Sequence, residues 1–536
     1  MFSYGLSNFR RLKAIQPIPL KPITILVGKN SSGKSSYLRS LPLLNQSITT
    51  DTAGAILWWG DFVDFGSFKE TIHHKSPDKE ISFHFSLSDL DLSDAARFAV
   101  TYYRHIQLLR HQTAALKNVK IEVSISNHVR DKTADSSISY VSTYRIAVPS
   151  DGIDLTLKLS PEGAILEATL NKLDIVEELK NKEAHISLNS LLPTITFRDS
   201  RAPYGVSEKE TAPGSLVSKT REIIKNLYKK SASQSKLHEI ALTFLYSAAF
   251  SPKRIKLLKE TSTEEEIRTL CGRLETKATS EQIAEVAKYS TITNLPTITS
   301  AVAQKLGQII SNVSYIGPAR VRSERYYRQQ DLSVSTISPD GHNFPIFLAS
   351  LTRTQIDELS DVINHLYGYK LRLKKEAGHI SIFLEDDGFL INLIDTGYGL
   401  SQILPVIAQM WWAGRDSRSR GQYSSRVSDR IVAIEQPELH LHPAHQASLA
   451  DAFLLFSRPD QRTKRSQLQF LIETHSESLI NRLGELVYEK KISKDDIQVV
   501  VFDTDSREKY STSAKISTFD DEGSLINWPV GFFSTR

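Results

Sequence analysis

The 536 residues predict an α/β protein: a P-loop head split across the chain, carrying an antiparallel β lobe and a helical insertion. Three observations predict it. A β-rich run, a glycine-rich loop and a helix-like run follow one another within residues 22–41. A second apolar strand ends in a carboxylate, Glu435, 401 positions after Lys34. Between these ends the pattern changes from period-two alternation at 81–170 to helical spacing at 205–310.

The first element is Pro22 to Val27, then Gly28-Lys29-Asn30-Ser31-Ser32-Gly33-Lys34-Ser35, then the helical Ser36 to Leu41. This is G-x-x-x-x-G-K-S in its strand–loop–helix context. Glycines let backbone N–H groups turn inward around phosphate oxygens, and the helix N-terminus adds its positive dipole end. Lys34 can reach the outer phosphates and the Ser35 hydroxyl can meet Mg²⁺.

Residues 81–170 alternate in short runs, among them Ile81 to Leu87, Val119 to Ile125, Ile138 to Val148 and Leu155 to Leu159. Turn signals at Ser150-Asp151-Gly152 and Ser160-Pro161-Glu162-Gly163 separate them, which reads as an antiparallel sheet. Residues 92–117 read as a helix within it. Further on, Leu216 to Lys230, Gln234 to Phe250, Ser262 to Leu274 and Ser280 to Lys288 carry spaced apolar residues with charged faces. No long heptad run appears, so the insertion is compact rather than a coiled-coil arm.

The C-terminal part supplies three more blocks. Asp395-Thr396-Gly397-Tyr398-Gly399-Leu400-Ser401-Gln402 precedes an apolar helix and offers a second phosphate-facing N-terminus. Ile431 to Ile434 delivers Glu435-Gln436-Pro437-Glu438 to a strand end. Phe470 to Ile472 delivers Glu473-Thr474-His475-Ser476 to another.

Composition narrows the class. Hydrophobic residues make up 40% and charged residues 24%, which excludes a wholly disordered chain. At about 150 residues per domain the length holds three or four domains' worth of protein. Sixty-six basic against 61 acidic residues gives a net charge of +5, so nucleic-acid binding would have to come from local patches. Three exist: Lys219, Arg221, Lys225, Lys229 and Lys230; then Lys253, Arg254, Lys256 and Lys259; then Arg320, Arg322, Arg325 and Arg328 with Tyr326 and Tyr327 between them. Each reads equally as a solvated face, and the last also as part of a nucleotide interface. The single cysteine, Cys271, rules out an internal disulfide and a cysteine-based zinc site. The first sixteen residues lack a signal peptide's apolar core, and no run approaches the roughly 18 apolar residues of a membrane span, so a cytoplasmic location is expected.

Jointly these blocks resemble the ATP-binding-cassette (ABC-type) ATPase superfamily, in its soluble SMC-like and overcoming-lysogenization-defect (OLD) branch. Asn8-Phe9-Arg10, Gly317-Pro318-Ala319-Arg320 and the run Glu435 to Pro443, with Leu439-His440-Leu441-His442, are similar to that branch's motifs. Asn527-Trp528-Pro529-Val530-Gly531-Phe532-Phe533 is similar to the C-terminal signature of DUF3696 ATPases. The resemblance implies a head formed by 1–200 and 313–536, with 201–312 inserted as a candidate partner-docking region. It implies that Gly28, Asn30, Ser32, Gly33, Lys34, Ser35 and Ser36 hold ATP with Mg²⁺, and that Glu435 supports the metal with Ser35. Gly399 and Ser401 would reach the γ-phosphate held by a second copy in a head-to-tail ATP sandwich, and His475 would act as the switch histidine. One departure stands out. The family's water-polarising glutamate is here Gln436, and an amide cannot take a proton, so hydrolysis is expected to be slow unless Glu438 substitutes.

The resemblance reaches furthest to the ATPase subunits of Septu-type and retron-linked Septu-type antiphage systems. It implies a separate HNH-type nuclease partner and, in the retron case, a reverse transcriptase with its RNA–DNA hybrid. A DNA-repair or chromosome-associated ATPase that clamps nucleic acid directly is the first alternative. An OLD-like nuclease is the second; its D-x-D pair would be Asp503 and Asp505, with only 31 residues beyond for the domain such a nuclease needs. His440, His442 and His445 have ligand-like spacing, but the resemblance places them in a subunit-facing loop.

Overall fold

A computed structural model describes the chain except for residues 77–78, 93–114, 132–135, 188–189, 198–214, 229–232, 248, 263, 319, 331, 333, 335, 416–429, 460–466, 505–511 and 529–536. Of the expected helix at 92–117, residues 93–114 lie outside the described residues, and its last two, Leu116 and Lys117, instead begin a β-strand, Leu116–Asp131. Lys229-Lys230, Asp505 and most of the Trp528-to-Phe533 signature also lie outside the described residues.

The head is built on a seven-stranded sheet in the order β12-β17-β18-β3-β19-β20-β21. These are β12 (Val313–Ile316), β17 (Arg430–Glu435), β18 (Leu468–Glu473), β3 (Ile23–Gly28), β19 (Ile497–Thr504), β20 (Thr512–Phe519) and β21 (Leu525–Ile526). The first five run parallel. Strands covered on both faces read as continuous apolar runs, and all six residues of β3 are buried. Alternate side chains serve opposite faces. Leu26, Ile431, Ala433 and Leu471 join the core shared with the β lobe and the helix Lys34–Thr49. Ile25, Val432, Ile434 and Ile472 join a second core under the helices Tyr398–Gly414, Pro443–Phe456 and Glu477–Tyr488. The α/β P-loop head expected from sequence is therefore the observed fold.

The lobe is an eight-stranded sheet, β2-β1-β4-β5-β6-β7-β8-β9, and every neighbouring pair is antiparallel. It comprises β1 (Phe2–Phe9), β2 (Leu12–Pro19), β4 (Ile81–Leu90), β5 (Leu116–Asp131), β6 (Ser136–Val148), β7 (Ile153–Leu159), β8 (Ile165–Leu170) and β9 (Leu173–Asp174). Buried Tyr4 and Tyr37 join it to the head: Tyr37 donates its hydroxyl to the Tyr4 carbonyl at 2.8 Å. A short hairpin, β10 (Ala184–Ile186) and β11 (Ile195–Phe197), follows.

Among the described residues, six helices follow in the region expected as an insertion: Leu216–Tyr228, Gln234–Leu245, Pro252–Thr261, Glu265–Lys277, Ser280–Thr293 and Leu295–Ser311. Local chemistry starts them. Ser233 and Ser251 accept from the backbone of Lys236 and Arg254, and Thr279 with Gln282 forms a capping box. The last helix leads straight into β12, and Asn45 clamps that junction by donating to the Ser311 and Val313 carbonyls at 3.3 and 2.8 Å. A fourth sheet, β13 (Tyr327–Arg328), β14 (Lys370–Glu376), β15 (His379–Asp386) and β16 (Phe389–Asn392), precedes the Asp395 block.

Among the described residues, no helix is long and apolar enough to cross a membrane. Cys271 is buried in the insertion, and burial pushes its thiol up to about 12. A thiol reacts as its thiolate. Native protein at pH 8 should therefore resist iodoacetamide, whereas protein in guanidinium chloride should be fully alkylated; prompt labelling of the native chain would contradict this packing.

Candidate functional site

Where β3 ends, the chain turns through a loop into the helix Lys34–Thr49. Gly33 is the N-cap residue with φ 97°, a left-handed conformation that favours glycine. A Cβ there would also stand 2.5 Å from Leu12 Cδ2. The result is an open cleft of about 520 Å³. Asn30 to Ser36 form its floor, Arg10 and Arg11 one wall, and Gln436 and Glu473 the other.

Charge and unmet hydrogen bonds fit this cleft to a phosphate chain. Lys34 Nζ folds back to donate to the Gly28 and Lys29 carbonyls, each at 3.0 Å, and lies 3.7 Å from Glu473 Oε1. Burial holds its ammonium below the ordinary lysine value, with Glu473 opposing. The Ser32 hydroxyl is buried without a partner. Such an orphan in a native loop marks a place where a bound group completes the bonding. Burial holds the Glu473 carboxyl above its ordinary value; a Ser35 hydrogen bond opposes this and Glu435 adds to it.

The other expected site residues are distributed around this cleft. Gln436 lines it with φ 42°, its N–H bonded to the Glu473 carbonyl at 2.8 Å. Glu435 does not line it: both its oxygens are taken by Arg39, and Tyr315 donates to one of them. Glu438 is buried beneath the next turn, where Oε1 accepts the His475 backbone N–H at 2.7 Å and Oε2 has no partner. Burial raises its carboxyl. His475 is exposed at the cleft's side, where desolvation and then the Lys34 charge hold its imidazole below the ordinary value.

Gly399 and Ser401 lie outside this cleft. Gly399 packs so close to the loop after β17 that a Cβ would stand 3.0 Å from the His440 carbonyl oxygen. Ser401 is buried, while the helix entrance at Gly397 is exposed. Among the described residues no three His, Cys, Asp or Glu side chains cluster to hold a metal; His442 instead caps the helix Pro443–Phe456. Asp503 ends β19, and its D-x-D partner lies outside the described residues.

Two of the basic patches are partly spent on structure. Arg254 is buried and ion-paired with Asp151, and Lys259 bonds Glu275. Arg320 is buried, which pushes its guanidinium down to about 10, and one N–H reaches the Glu435 carbonyl at 3.3 Å. Arg325 grips Asp395 at 2.8 and 3.0 Å. Arg322 and Arg328 remain exposed.

Sequence reading missed Arg11, Arg39 and Tyr315 altogether. It quoted Arg10 and Glu473 within motifs without assigning them to the cleft. Adjacency to the Asn8-Phe9-Arg10 motif was a usable signal for Arg11. Nothing in the sequence pairs Arg39 with a carboxylate 396 positions away.

The chain is similar to a solved structure of the Smc head domain with an extended coiled coil bound to the C-terminal domain of ScpA, from Pyrococcus furiosus. Identity is 14%, 97% of each chain is covered, and the TM-score is 0.31. No curated protein matches it. The model of the AAA ATPase domain matches residues 3–480, from the first strand through the phosphate loop, Glu435 and His475. The chain belongs to the AAA ATPase domain family.

Proposed function

We propose that this chain is a slowly hydrolysing, ABC-type ATPase subunit that pairs with a second copy around ATP and Mg²⁺ and regulates a separate HNH-type nuclease in a bacterial antiphage assembly. The observation that carries the slow clock is Gln436. It occupies the cleft wall where a proton acceptor would serve, and its amide can orient water but not deprotonate it. Glu438 is no ready substitute, because it is buried away from the cleft and holds the His475 backbone. Pairing is supported by the division of the site. The cleft contains the phosphate loop but neither Gly399 nor Ser401, as a site shared between two copies requires. An ATP-bound state that persists is suited to holding a partner, since ligand binding stabilises whichever state it favours. The nuclease and the antiphage setting rest on the motif resemblance alone.

Native purification of the chain from its own cells, with and without ATP, tests this reading. The expected result is an ATP-dependent complex containing an HNH nuclease, accompanied by a reverse transcriptase and RNA–DNA hybrid if the system is retron-linked. A chain that purifies alone and clamps DNA with strong salt dependence would replace the regulator with a nucleic-acid clamp.

A further inference from the structure

Glu435 and Glu473 end neighbouring parallel strands in direct register. Both therefore project from the same face of the sheet, toward the helix Lys34–Thr49. Ser35 and Arg39 lie four residues apart and share one face of that helix. Each serves one carboxylate. Arg39 donates Nε to Glu435 Oε1 at 2.6 Å and Nη2 to Oε2 at 2.8 Å, and the Tyr315 hydroxyl adds a third bond at 2.8 Å. This bidentate pair neutralises Glu435 and occupies both of its oxygens. Ser35 and Glu473 instead line the same cleft. Glu473 lines the cleft beside Lys34, and its Oε2 is buried with no partner.

We propose that Glu473, rather than Glu435, is the carboxylate that supports nucleotide-bound Mg²⁺ together with Ser35, and that Glu435 is the anchor that fixes the helix to the sheet. The proposal rests on the ATP-binding part of the reading above. Magnesium takes oxygen ligands and keeps several of its waters, so its supporting carboxylate must present an oxygen not already committed to a cation. Glu473 meets that requirement and Glu435 does not. The assignment also gives a role to the Glu473 oxygen that has no partner at this buried strand end, where an unsatisfied polar atom costs stability. Among the described residues it is the acid lining this cleft.

The test is the affinity of a fluorescent N-methylanthraniloyl-ATP measured in Mg²⁺ and in EDTA, which reads the metal's contribution without any turnover. Wild-type protein should bind more tightly in Mg²⁺. In Glu473→Gln that enhancement should fall by about 10–100-fold, the usual cost of losing a group that supports a metal. Its EDTA affinity should stay near wild type. Glu473→Asp should recover part of the enhancement, and Ser35→Ala should lose it as Glu473→Gln does. Glu435→Gln should keep the enhancement and lower the melting temperature. The proposal is overturned if Glu435→Gln loses the enhancement while Glu473→Gln keeps it, or if both lose it equally. Absence of nucleotide binding by wild type in either buffer would overturn the ATP-binding reading itself, a result separable from the first two.

Discussion

Lys34→Ala should reduce ATP turnover by about 10²–10³-fold, the scale for losing one donor aimed at developing negative charge. The side chain is the buried ammonium of the phosphate loop, whose other lysine, Lys29, is exposed, and it is held by two loop carbonyls at 3.0 Å rather than by an exclusive ion pair. Those bonds are internal and replaceable, so a phosphate chain can draw the ammonium outward without breaking the fold. The same geometry predicts the stability of the variant. Burial disfavours this charge, but its removal leaves the buried Glu473 carboxylate without the ammonium 3.7 Å away, so the melting temperature should fall. Lys34→Arg should not restore turnover, because a planar fork cannot replace a compact ammonium in so close a loop. Turnover within threefold of wild type in folded Lys34→Ala would remove the phosphate loop from the reaction.

The second large effect lies far from the cleft. Arg254→Ala or Asp151→Ala should destabilise the chain by about 3–5 kcal/mol, the range for leaving one partner of a buried ion pair uncompensated. Arg254 begins the third insertion helix and reaches across to Asp151 in the β lobe, with a further bond to the Ala115 carbonyl at 2.9 Å. Their side chains are only 11% and 8% exposed. Breaking the pair strands a charge between two elements that have no covalent link nearby. Replacing both, as Asp151→Leu with Arg254→Met, should recover much of the loss, since well-packed apolar side chains of similar volume often match a buried pair. Denaturant midpoints of wild type, Asp151→Leu, Arg254→Met and the double variant form a double-mutant cycle. Equal midpoints for wild type and both single variants would show that Arg254 is a surface cation after all.

How much of this was legible follows from the range of the interactions. The strand–loop–helix at Ile23 to Thr49 and the strands ending at Glu435 and Glu473 were readable because each is specified by its own residues. The alternating lobe was readable for the same reason. The helix Leu295–Ser311 fell within the helical stretch at 205–310 but was not singled out, because its polar residues are mostly small or uncharged and leave no charged face to mark it. The helix Pro252–Thr261 was visible only as a basic stretch, because its buried residues are Arg254, Ile255 and Leu258, and the arginine reads as part of the charged face. At the site, residue types were legible and partnerships were not. A motif names Glu435 as an acid, but the arginine that occupies it is placed there by a helix crossing the sheet.

The central position of β3 also governs the order in which this molecule can be made. Leu26 pairs with Glu473 on one side and Val500 on the other. The strand therefore leaves the ribosome with both hydrogen-bonding edges open, and its neighbours arrive more than 440 residues later. At about 5–20 residues per second that wait is roughly 20–90 s. Arg39 waits a comparable 396 residues for Glu435, and Asn45 a shorter 266 and 268 for Ser311 and Val313. The β lobe, whose strands pair largely with neighbours in sequence, can assemble early; the nucleotide cleft is among the last parts to close. Newly synthesised chains would thus carry an exposed apolar strand for most of their synthesis, and that strand is the natural first target for a holding chaperone.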